Sequence, residues 1–379
     1  MNISGKKVVI SVVSDLVTDQ RVHRTSLTAR MKGAHVVLVG RKLKSSLPMN
    51  SRAYYFKRFR LLFETGPLFY ACYNIRLFFF LLFHRCDLLI ANDLDTLLAN
   101  YLVSKIKNVP LIYDTHEYFT EVPELVSRPR VQRIWKWIER KIFPSLKNVM
   151  TVNDSIAEIY RKEYKVNVSV VRNIPMSDYF NDALEHPLVR NDFQLPAGTF
   201  IFILQGAGIN VDRGAEEAVE AMQWVNNALL LIVGGGDVIE HLQQKTIELG
   251  LQEKVRFIPK QPLQQLKHLT RLADAGLTLD KNTNLNYRFS LPNKLFDYIH
   301  AGLPVLASDL PEVSAIINKY EIGKILTKHE PVTIAAAMNE MMNDDKQFAH
   351  WKENVKLAGS ELTWENESLR LLEVIDHVS

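Results

Sequence analysis

Apolar residues in this chain form short unbroken runs that alternate with longer amphipathic stretches. The first run, 7–13, lacks polar alternation, which is typical of a strand buried on both faces of a parallel sheet. An amphipathic stretch over 19–31 predicts a helix that Gly33 ends, and a second apolar run follows at 35–40. The chain therefore begins with a predicted strand–helix–strand unit of an open parallel sheet.

The same alternation continues along the chain and predicts two parallel α/β sheets in tandem. A polar segment at 177–198, which contains Pro187 and Pro196, separates them. Further strands of the first sheet are predicted at 87–91, 111–113, 148–152 and 168–171. Strands of the second sheet are predicted at 200–205, 229–233, 255–258, 275–279, 305–307 and 323–326.

Residues 52–85 differ from the rest of the first half. Basic and aromatic residues alternate over 52–60, and 68–83 is apolar nearly all round, interrupted by Asn74 and Arg76. The apolar part is shorter than the ~20 residues that a membrane span needs. Two interpretations remain: a buried helix packed on the sheet, or an aromatic and basic patch that attaches to a membrane surface. Both hold if one face of the helix packs inward.

Polar residues follow several predicted strands of the first half at their carboxyl ends, where open parallel sheets bind ligands. His116 lies between Asp114 and Glu117 after one such strand, and this setting favours a functional histidine over a structural one. The other polar residues after the first and third predicted strands are Thr18, Asp19, Arg21, Arg24, Asn92, Asp93 and Asp95.

Two glycine-rich turns follow strands of the second half, at 206–214 and 234–237. Such turns offer backbone N–H groups to an anion. In the first turn, Gly206 and Gly208 are followed by Val211 rather than glycine, so the dinucleotide-binding fingerprint is incomplete.

Further along the second half, the sequence predicts a capped helix followed by a buried strand. Ser290 is the expected N-cap, Pro292 lies in the first turn, and Gly302 ends the helix. Lys294 and Asp297 share one helix face, where the lysine can hold phosphate and the carboxylate can accept hydrogen bonds from sugar hydroxyls. The alternative is an ordinary ion pair between them on a surface helix.

Length and composition narrow these possibilities. The 379 residues favour two domains, and 47% hydrophobic with 23% charged residues describe a globular chain. A net charge of +4 is a mild excess that argues neither for nor against a nucleic-acid partner, and none is expected. Cys72 and Cys86 show neither metal-ligand nor disulfide spacing, which fits a reducing compartment. No signal-peptide pattern precedes the first strand, so the expected location is cytoplasmic.

Four segments of the second half, in order, resemble the carboxyl-terminal domain of GT-B glycosyltransferases of the retaining, family 4-like kind that builds bacterial polysaccharides. They are 206–214, 231–237, 255–259 and 291–308, and the Pro-Asn-Lys-Leu-Phe-Asp-Tyr block in the last is the most specific. In the first half, 18–21, 92–95, 113–117 and 171–173 lie where that family has its acceptor loops. The resemblance thus covers nearly the whole chain.

The resemblance implies an α/β protein of the GT-B fold, with two Rossmann-like parallel-sheet domains that face each other across a cleft. An acceptor-binding domain is expected over 1–176, a linker over 177–198 and a nucleotide-sugar-binding domain over 199–363. The last helix, about 364–379, is expected to pack back on the first domain.

The implied activity is that of a hexosyltransferase-like glycosyltransferase. It would move a sugar, with retention, from a nucleotide-sugar to a saccharide or lipid-linked saccharide acceptor in cell-surface polysaccharide synthesis. No cofactor or metal is expected, because the nucleotide-sugar is a substrate and no carboxylate cluster for Mg²⁺ stands out. Attachment to the inner face of the cell membrane through 52–85 is an additional expectation. The alternatives are a GT-B sugar-nucleotide epimerase and a non-catalytic, membrane-associated assembly partner.

By the same resemblance, Asp297 would hold the ribose, Arg213 the diphosphate, and the backbone near Ile258 the base. The chain departs from the family pattern at Phe289, where an acidic residue is common, and at Ala207, where an arginine is common. Lys294 is expected to supply the missing positive charge. The implied donor-binding residues are Gly206, Gly208, Arg213, Gly235, Ile258, Pro259, Ser290, Asn293, Lys294 and Asp297. The implied acceptor-binding residues are Thr18, Asp19, Arg21, Asp93, His116 and Glu117. The implied catalytic residues are His116, Arg213 and Lys294.

Overall fold

A computed structural model describes residues 1–185 and 187–378 of the chain. The chain forms two compact units. The first contains Met1–Asn173 and the terminal segment that starts at Asn366, and the second contains Ile174–Glu365. Each unit is built on one parallel sheet with helices packed against it.

Seven parallel strands form the sheet of the first unit, in the order β3-β2-β1-β4-β5-β6-β7. They are β1 (Lys7–Asp15), β2 (His35–Lys42), β3 (Tyr55–Arg60), β4 (Leu88–Asn92), β5 (Leu111–Thr115), β6 (Asn148–Thr151) and β7 (Val168–Val170). Because β1 and β4 are neighbours while the chain leaves them in opposite directions, the switch point of this sheet lies between them. The edge strand β3 was not predicted, since its basic and aromatic alternation concealed a half-exposed strand.

The helices of the first unit lie on two faces of this sheet. Connections from β3 to β4, β4 to β5 and β5 to β6 all move in one direction across the sheet, and right-handed crossovers therefore place their helices on one face. The connection from β1 to β2 runs the other way and uses the opposite face. The helices are α1 (Gln20–Met31), α2 (Gly66–Phe83), α3 (Leu94–Lys107), α4 (Pro123–Val126), α5 (Pro129–Ile142) and α6 (Asp154–Tyr164).

The apolar segment of the first half is α2, and one of its faces packs inward. Its buried side chains, spaced four residues apart, are Phe69, Tyr73, Leu77 and Leu81. The Tyr73 hydroxyl donates a hydrogen bond to the carbonyl of Val12 on β1 (2.6 Å). Among the described residues, α2 is the one helix with the length and composition of a membrane span, at a mean hydropathy of 1.4. Of the two interpretations of this segment, packing of the helix on the sheet is confirmed for the face that carries these four side chains.

The second unit holds six parallel strands in the order β10-β9-β8-β11-β12-β13. They are β8 (Phe200–Gly206), β9 (Ala228–Gly234), β10 (Val255–Pro259), β11 (Ala275–Thr278), β12 (Val305–Ser308) and β13 (Gly323–Leu326). Both faces of this sheet are buried. Alternate side chains of β8 point to opposite faces, and each set belongs to its own buried apolar cluster. The switch point lies between β8 and β11.

The remaining helices pack around the second sheet, and the last returns to the first unit. They are α7 (Asn181–Glu185), α8 (Ala215–Ala221), α9 (Ile239–Glu248), α10 (Leu263–Leu272), α11 (Leu285–Arg288), α12 (Asn293–Ala301), α13 (Pro311–Tyr320), α14 (Pro331–Asn343), α15 (Asp345–Glu361) and α16 (Trp364–Asp376). The segment predicted as a linker, 177–198, lies within the second unit. Arg190 in this segment pairs with Asp274 (2.7 Å).

The predicted N-cap of α12 is wrong. Ser290 donates its backbone N–H (3.1 Å) and its hydroxyl (2.9 Å) to the carbonyl of Tyr287, so it closes the short helix α11 instead. Pro292 occupies the N-cap position of α12 and provides no side-chain cap. The predicted end of the helix is confirmed, because Gly302 adopts a left-handed conformation (φ 75°) there.

Candidate functional site

A buried carboxylate organises the carboxyl edge of the second sheet. Asp280 follows β11 and is 1% exposed. It accepts a hydrogen bond from Arg213 Nη1 (2.9 Å), and Lys294 Nζ lies 3.3 Å from its other oxygen. These three side chains, the Asp280 cluster, come from the loop before α8, the end of β11 and the first turn of α12. Two cations around one anion leave the Asp280 cluster itself with one net positive charge.

The electrostatics of the Asp280 cluster keep Asp280 and Arg213 charged. Burial by itself would raise the pKa of Asp280, but Lys294 and Arg213 outweigh that effect and hold the pKa below its usual range. Burial would lower the pKa of Arg213, whereas the Asp280 carboxylate raises it. Asp280 was not among the predicted site residues. The signal that could have identified it is the one that singled out Asp93, an acidic residue directly after a buried strand.

Arg213 is held from two sides. Its guanidinium lies over the ring of Tyr287 on α11, 4.3 Å from the ring centre, while Asp280 binds Nη1. Its Nε atom is buried and has no hydrogen-bond partner among the described residues. A guanidinium fixed in this way is suited to bind an anion such as a phosphate.

The two glycine-rich turns of the second unit contact each other closely. The N–H of Ile209 donates to the carbonyl of Gly235 (2.8 Å), and the N–H of Gly235 donates to the carbonyl of Gly206 (3.3 Å). A Cβ atom at Gly234 would lie 1.8 Å from the Gly206 carbonyl oxygen. The N–H of Gly235 is therefore already engaged within the protein, and its expected role as an anion donor stays a prediction. Gly208 lies exposed at the tip of the first turn.

The predicted ribose ligand lies one turn along α12 from Lys294. Asp297 Oδ2 accepts a hydrogen bond from Gln205 Nε2 (3.0 Å) on β8, and Gln205 Oε1 accepts one from the hydroxyl of Thr270 (2.6 Å). The next residue, Tyr298, places its hydroxyl 3.1 Å from the carbonyl of Ile203 on β8. The helix is thereby anchored on the sheet. Lys294 pairs with Asp280, so the interpretation as an ordinary Lys294–Asp297 ion pair is wrong.

The remaining predicted donor residues occupy the same edge of the sheet or its vicinity. Pro259 pairs with Gly234 at the end of β10 and is exposed, whereas Ile258 is half-buried. Asn293 is exposed as the first residue of α12. Phe289, at the end of α11, lies under the guanidinium of Arg288 (5.4 Å).

In the first unit, His116 lies among three side-chain oxygen atoms at the edge of β4 and β5. Nδ1 is 3.2 Å from Asp93 Oδ2, and Nε2 is 3.1 Å from Asn92 Oδ1 and 3.4 Å from Asp114 Oδ2. Burial alone would lower the pKa of His116, but Asp93 and Asp114 outweigh it and raise the pKa to about 9. The imidazole is therefore charged at neutral pH, and both ring nitrogens contact protein oxygens.

Asp93 adopts an unusual backbone conformation directly above β4, with φ 60° and ψ 164°. Its N–H donates to the carbonyl of Asp114 (2.8 Å), and its Oδ1 accepts the N–H of His116 (2.9 Å). Such strain costs on the order of 1–3 kcal/mol and occurs preferentially at functional sites. The side chain of Asp93 is 20% exposed and therefore remains accessible at this edge.

Arg21 lies beneath this edge rather than at it. It is 3% exposed, and its Nε and Nη2 atoms donate to Asp114 (3.0 and 2.6 Å) while Nη1 donates to the carbonyl of Val171 (2.8 Å). Burial would raise the pKa of Asp114, but Arg21 and His116 lower it to about 2. The structure thus shows Arg21 holding Asp114, and its predicted acceptor contact stays a prediction.

The other predicted acceptor residues lie in the loops after β1 and β5. Thr18 is exposed, and Asp19 caps α1 by accepting the N–H of Val22 (3.2 Å). Glu117 is half-buried and its carbonyl accepts the hydroxyl of Thr115 (2.7 Å). Since β1, β4 and β5 are adjacent, these loops share one edge of the sheet.

Two known family models each match one half of the chain. Residues 20–175 match the model of Glycosyltransferase Family 4, and residues 190–358 match that of Glycosyl transferases group 1. The chain belongs to the GT-B glycosyltransferases. The Asp280 cluster of this glycosyltransferase lies within the second matched region, and His116 lies within the first.

Individual relatives of this glycosyltransferase are distant. It is 26% identical over 208 residues to the lipopolysaccharide core biosynthesis glycosyltransferase LpsD of Rhizobium meliloti, a match that covers 55% of each chain. The chain thus matches about half the length of that curated relative. Sucrose-phosphate synthase from Thermosynechococcus elongatus has the same fold, with a TM-score of 0.78 at 16% identity over 98% of both chains. Anabaena HepE in complex with UDP-glucose gives a TM-score of 0.72 at 14% identity, over 98% of this chain and 100% of HepE.

Proposed function

We propose that this protein transfers a hexose from a nucleotide-sugar to a saccharide or lipid-linked saccharide acceptor during cell-surface polysaccharide synthesis. The observation that carries the proposal is the Asp280 cluster, because Arg213 and Lys294 present fixed positive charge beside the β8–β11 switch point. A related glycosyltransferase acts in lipopolysaccharide core biosynthesis, and a neighbour in fold was solved with UDP-glucose. Both support this substrate class, and UDP is the first nucleotide to test.

The proposal assigns each part of the donor to particular residues. Arg213 and Lys294 bind the diphosphate and stabilise its growing charge as it leaves, in a site where electrostatic stabilisation is the largest contribution to catalysis. Asp297, oriented by Gln205, accepts hydrogen bonds from ribose hydroxyls. The base lies against the end of β10 near Ile258.

The proposed transfer proceeds with retention. The bond between the anomeric carbon and the β-phosphate oxygen breaks, and the acceptor oxygen forms its bond to the same face of the sugar. The proton of the acceptor hydroxyl passes to the departing phosphate oxygen. A nucleoside diphosphate and a glycoside are the products, so no oxidant, reductant or further reactant is required.

The acceptor contact is proposed to be Asp93, with His116 as its positioning residue. The charged imidazole holds one carboxylate oxygen through Nδ1, and the backbone N–H of His116 holds the other. The sequence predicts instead that His116 itself contacts the reacting groups, and this remains a competing hypothesis. Asp93→Asn and His116→Ala should both lower kcat/KM. If His116 contacts substrate directly, His116→Ala should have the larger effect.

The proposal is tested by titration calorimetry with UDP and a panel of sugar nucleotides, followed by turnover with the nucleotide that binds. Lys294→Met should weaken UDP binding by at least ~10-fold and lower kcat/KM by ~100-fold, since each 1.4 kcal/mol of lost stabilisation is one decade. Lys324→Met is the matched control, because Lys324, on β13, is also a lysine paired with a carboxylate, that of Glu340. Normal turnover by Lys294→Met would refute the assignment.

The panel also separates the competing functions. Binding of no sugar nucleotide would favour a non-catalytic assembly partner with this fold. Interconversion of a sugar nucleotide without any acceptor would identify an epimerase. We further propose a cytoplasmic location, in keeping with Cys72 and Cys86 being free thiols.

A further inference from the structure

Three helices of the first unit form one layer on the same face of its sheet. α3 runs alongside α2 in the same direction: Asn74 Nδ2 donates to the carbonyl of Asp95 near the start of α3 (2.7 Å), and Lys107 Nζ near its end donates to the carbonyl of Leu81 (3.1 Å). α5 completes the layer. The ring of Trp135 on α5 lies 5.3 Å from that of Tyr70 on α2.

The side of this layer that faces away from the sheet is apolar. Ile75, Phe79 and Phe83 follow at four-residue spacing on α2, opposite the stripe that packs inward, and Phe83 is 81% exposed. The neighbouring helices continue the surface with Ile106 on α3 and with Ile134 and Trp137 on α5, each about 60% exposed. We call these six side chains the outer helical face. Several large apolar side chains exposed on one helical layer mark an interaction site.

Within α2, α3 and α5, the exposed charged side chains are of one sign. The acidic residues in α2, α3 and α5, all of whose residues the structure describes, are Asp95 and Glu139, and both are buried. The exposed charged side chains of these helices are basic, and those that border the outer helical face are Lys105, Arg130, Arg133, Arg140 and Lys141. An apolar centre with aromatic residues and a basic border matches the chemistry of an anionic lipid surface.

We propose that the outer helical face docks this glycosyltransferase on a bilayer that contains anionic lipid. The six apolar side chains enter the interface between headgroups and acyl chains, and the lysines and arginines bind lipid phosphates. A second copy of the chain fits the surface less well, because a symmetric contact would bring the basic borders of both copies together. The sequence pattern had suggested 52–85 as the membrane segment, and the structure adds α3 and α5 to it.

This inference rests on the proposed function, since a lipid-linked acceptor would be met at the membrane surface. Membrane binding is nevertheless measured separately, in an assay that involves no sugar transfer. The full chain is sedimented with vesicles of phosphatidylcholine, with and without phosphatidylglycerol. Binding should be at least ~10-fold stronger with the anionic lipid and should fall on raising the salt concentration. Ile75→Glu should weaken it by ~10-fold or more, because it places a charge in the centre of the outer helical face.

The matched control is Ile247→Glu on α9, since Ile247 and Ile75 are equally exposed (57% and 59%). It should bind vesicles like the unmodified protein, and both variants should retain UDP binding and their thermal transitions. A second test avoids introducing an acid: Trp137→Ala should weaken vesicle binding, whereas Trp224→Ala should not. Two results would overturn the proposal. One is equal binding by the two isoleucine variants, and the other is a dimer that Ile75→Glu dissociates while vesicle binding is absent.

Discussion

At the scale of single residues, two buried carboxylates explain most of the site chemistry. Asp280 gathers Arg213 and Lys294 in the second unit, and Asp114 gathers Arg21 and His116 in the first. In both cases the acid is almost inaccessible, so its function is to fix and charge the groups around it. Pairing of this kind converts flexible cationic side chains into preorganised ones.

The charge on His116 makes a prediction about pH. Its folded pKa of about 9 exceeds the unfolded value of 6.5, so its stabilising contribution is complete below pH 6.5 and is lost as the pH rises through 9. The difference in unfolding free energy between the unmodified protein and His116→Gln should shrink by on the order of 3 kcal/mol over this interval. Chemical denaturation at a series of pH values measures it. Glu139, whose pKa burial raises to about 7, contributes to both proteins equally and cancels. A difference independent of pH would show that the imidazole is neutral.

At the scale of elements, the turn before α8 places Arg213 in the Asp280 cluster. Gly214 has φ +73°, and a Cβ atom there would lie 2.2 Å from the carbonyl oxygen of Leu279. A side chain at this position would push the turn away from the end of β11. The position of Arg213 relative to Asp280 therefore depends on a glycine at this position. The sequence motif includes this glycine, but only the structure shows why a side chain cannot replace its hydrogen.

The consequence can be measured against a glycine of the same backbone conformation. Gly250 has φ +67° and open space around it, so Gly250→Ala should cost about 1 kcal/mol from backbone strain alone. Gly214→Ala adds the steric clash, and we expect a loss of about 3 kcal/mol or more in unfolding free energy. It should also weaken UDP binding, which Gly250→Ala should leave unchanged. Equal effects of the two variants would contradict the close approach of the turn to β11.

At the scale of the whole molecule, the first unit is completed by the end of the chain. Glu367 on α16 accepts the N–H of Arg172 (2.8 Å), and Leu371 and Ile375 are fully buried. Deletion of residues 366–379 should therefore destabilise the first unit by at least about 3 kcal/mol, from two aliphatic side chains alone. Hydrogen exchange resolved along the chain should show lost protection in β1 to β7. The control is the second unit, whose UDP-dependent protection should persist; its loss would indicate that the deletion unfolds the entire chain.

Much of the fold follows from local pattern. The apolar runs identified twelve of the strands in both sheets because buried parallel strands need continuous apolar sequence. The edge strand β3 escaped because its solvent-exposed positions carry charge. The N-cap of α12 was misplaced for a different reason. Ser290 is locally suited to cap a helix, and only the presence of α11 directs its hydroxyl to Tyr287.

The sequence by itself determined the fold class, most of the succession of strands and helices, and the two cations, Arg213 and Lys294, that flank Asp280. Those properties depend on residues close to one another in the chain. The tertiary structure decided which groups those residues meet. Asp280 lies 67 positions from Arg213 in the sequence, and Asp114 lies 93 from Arg21. Neither pairing has a local signature, because strand order in each sheet brings the partners together. Strand order also creates the outer helical face. Its three helices lie side by side only because the strands that they lead into are neighbours in the sheet.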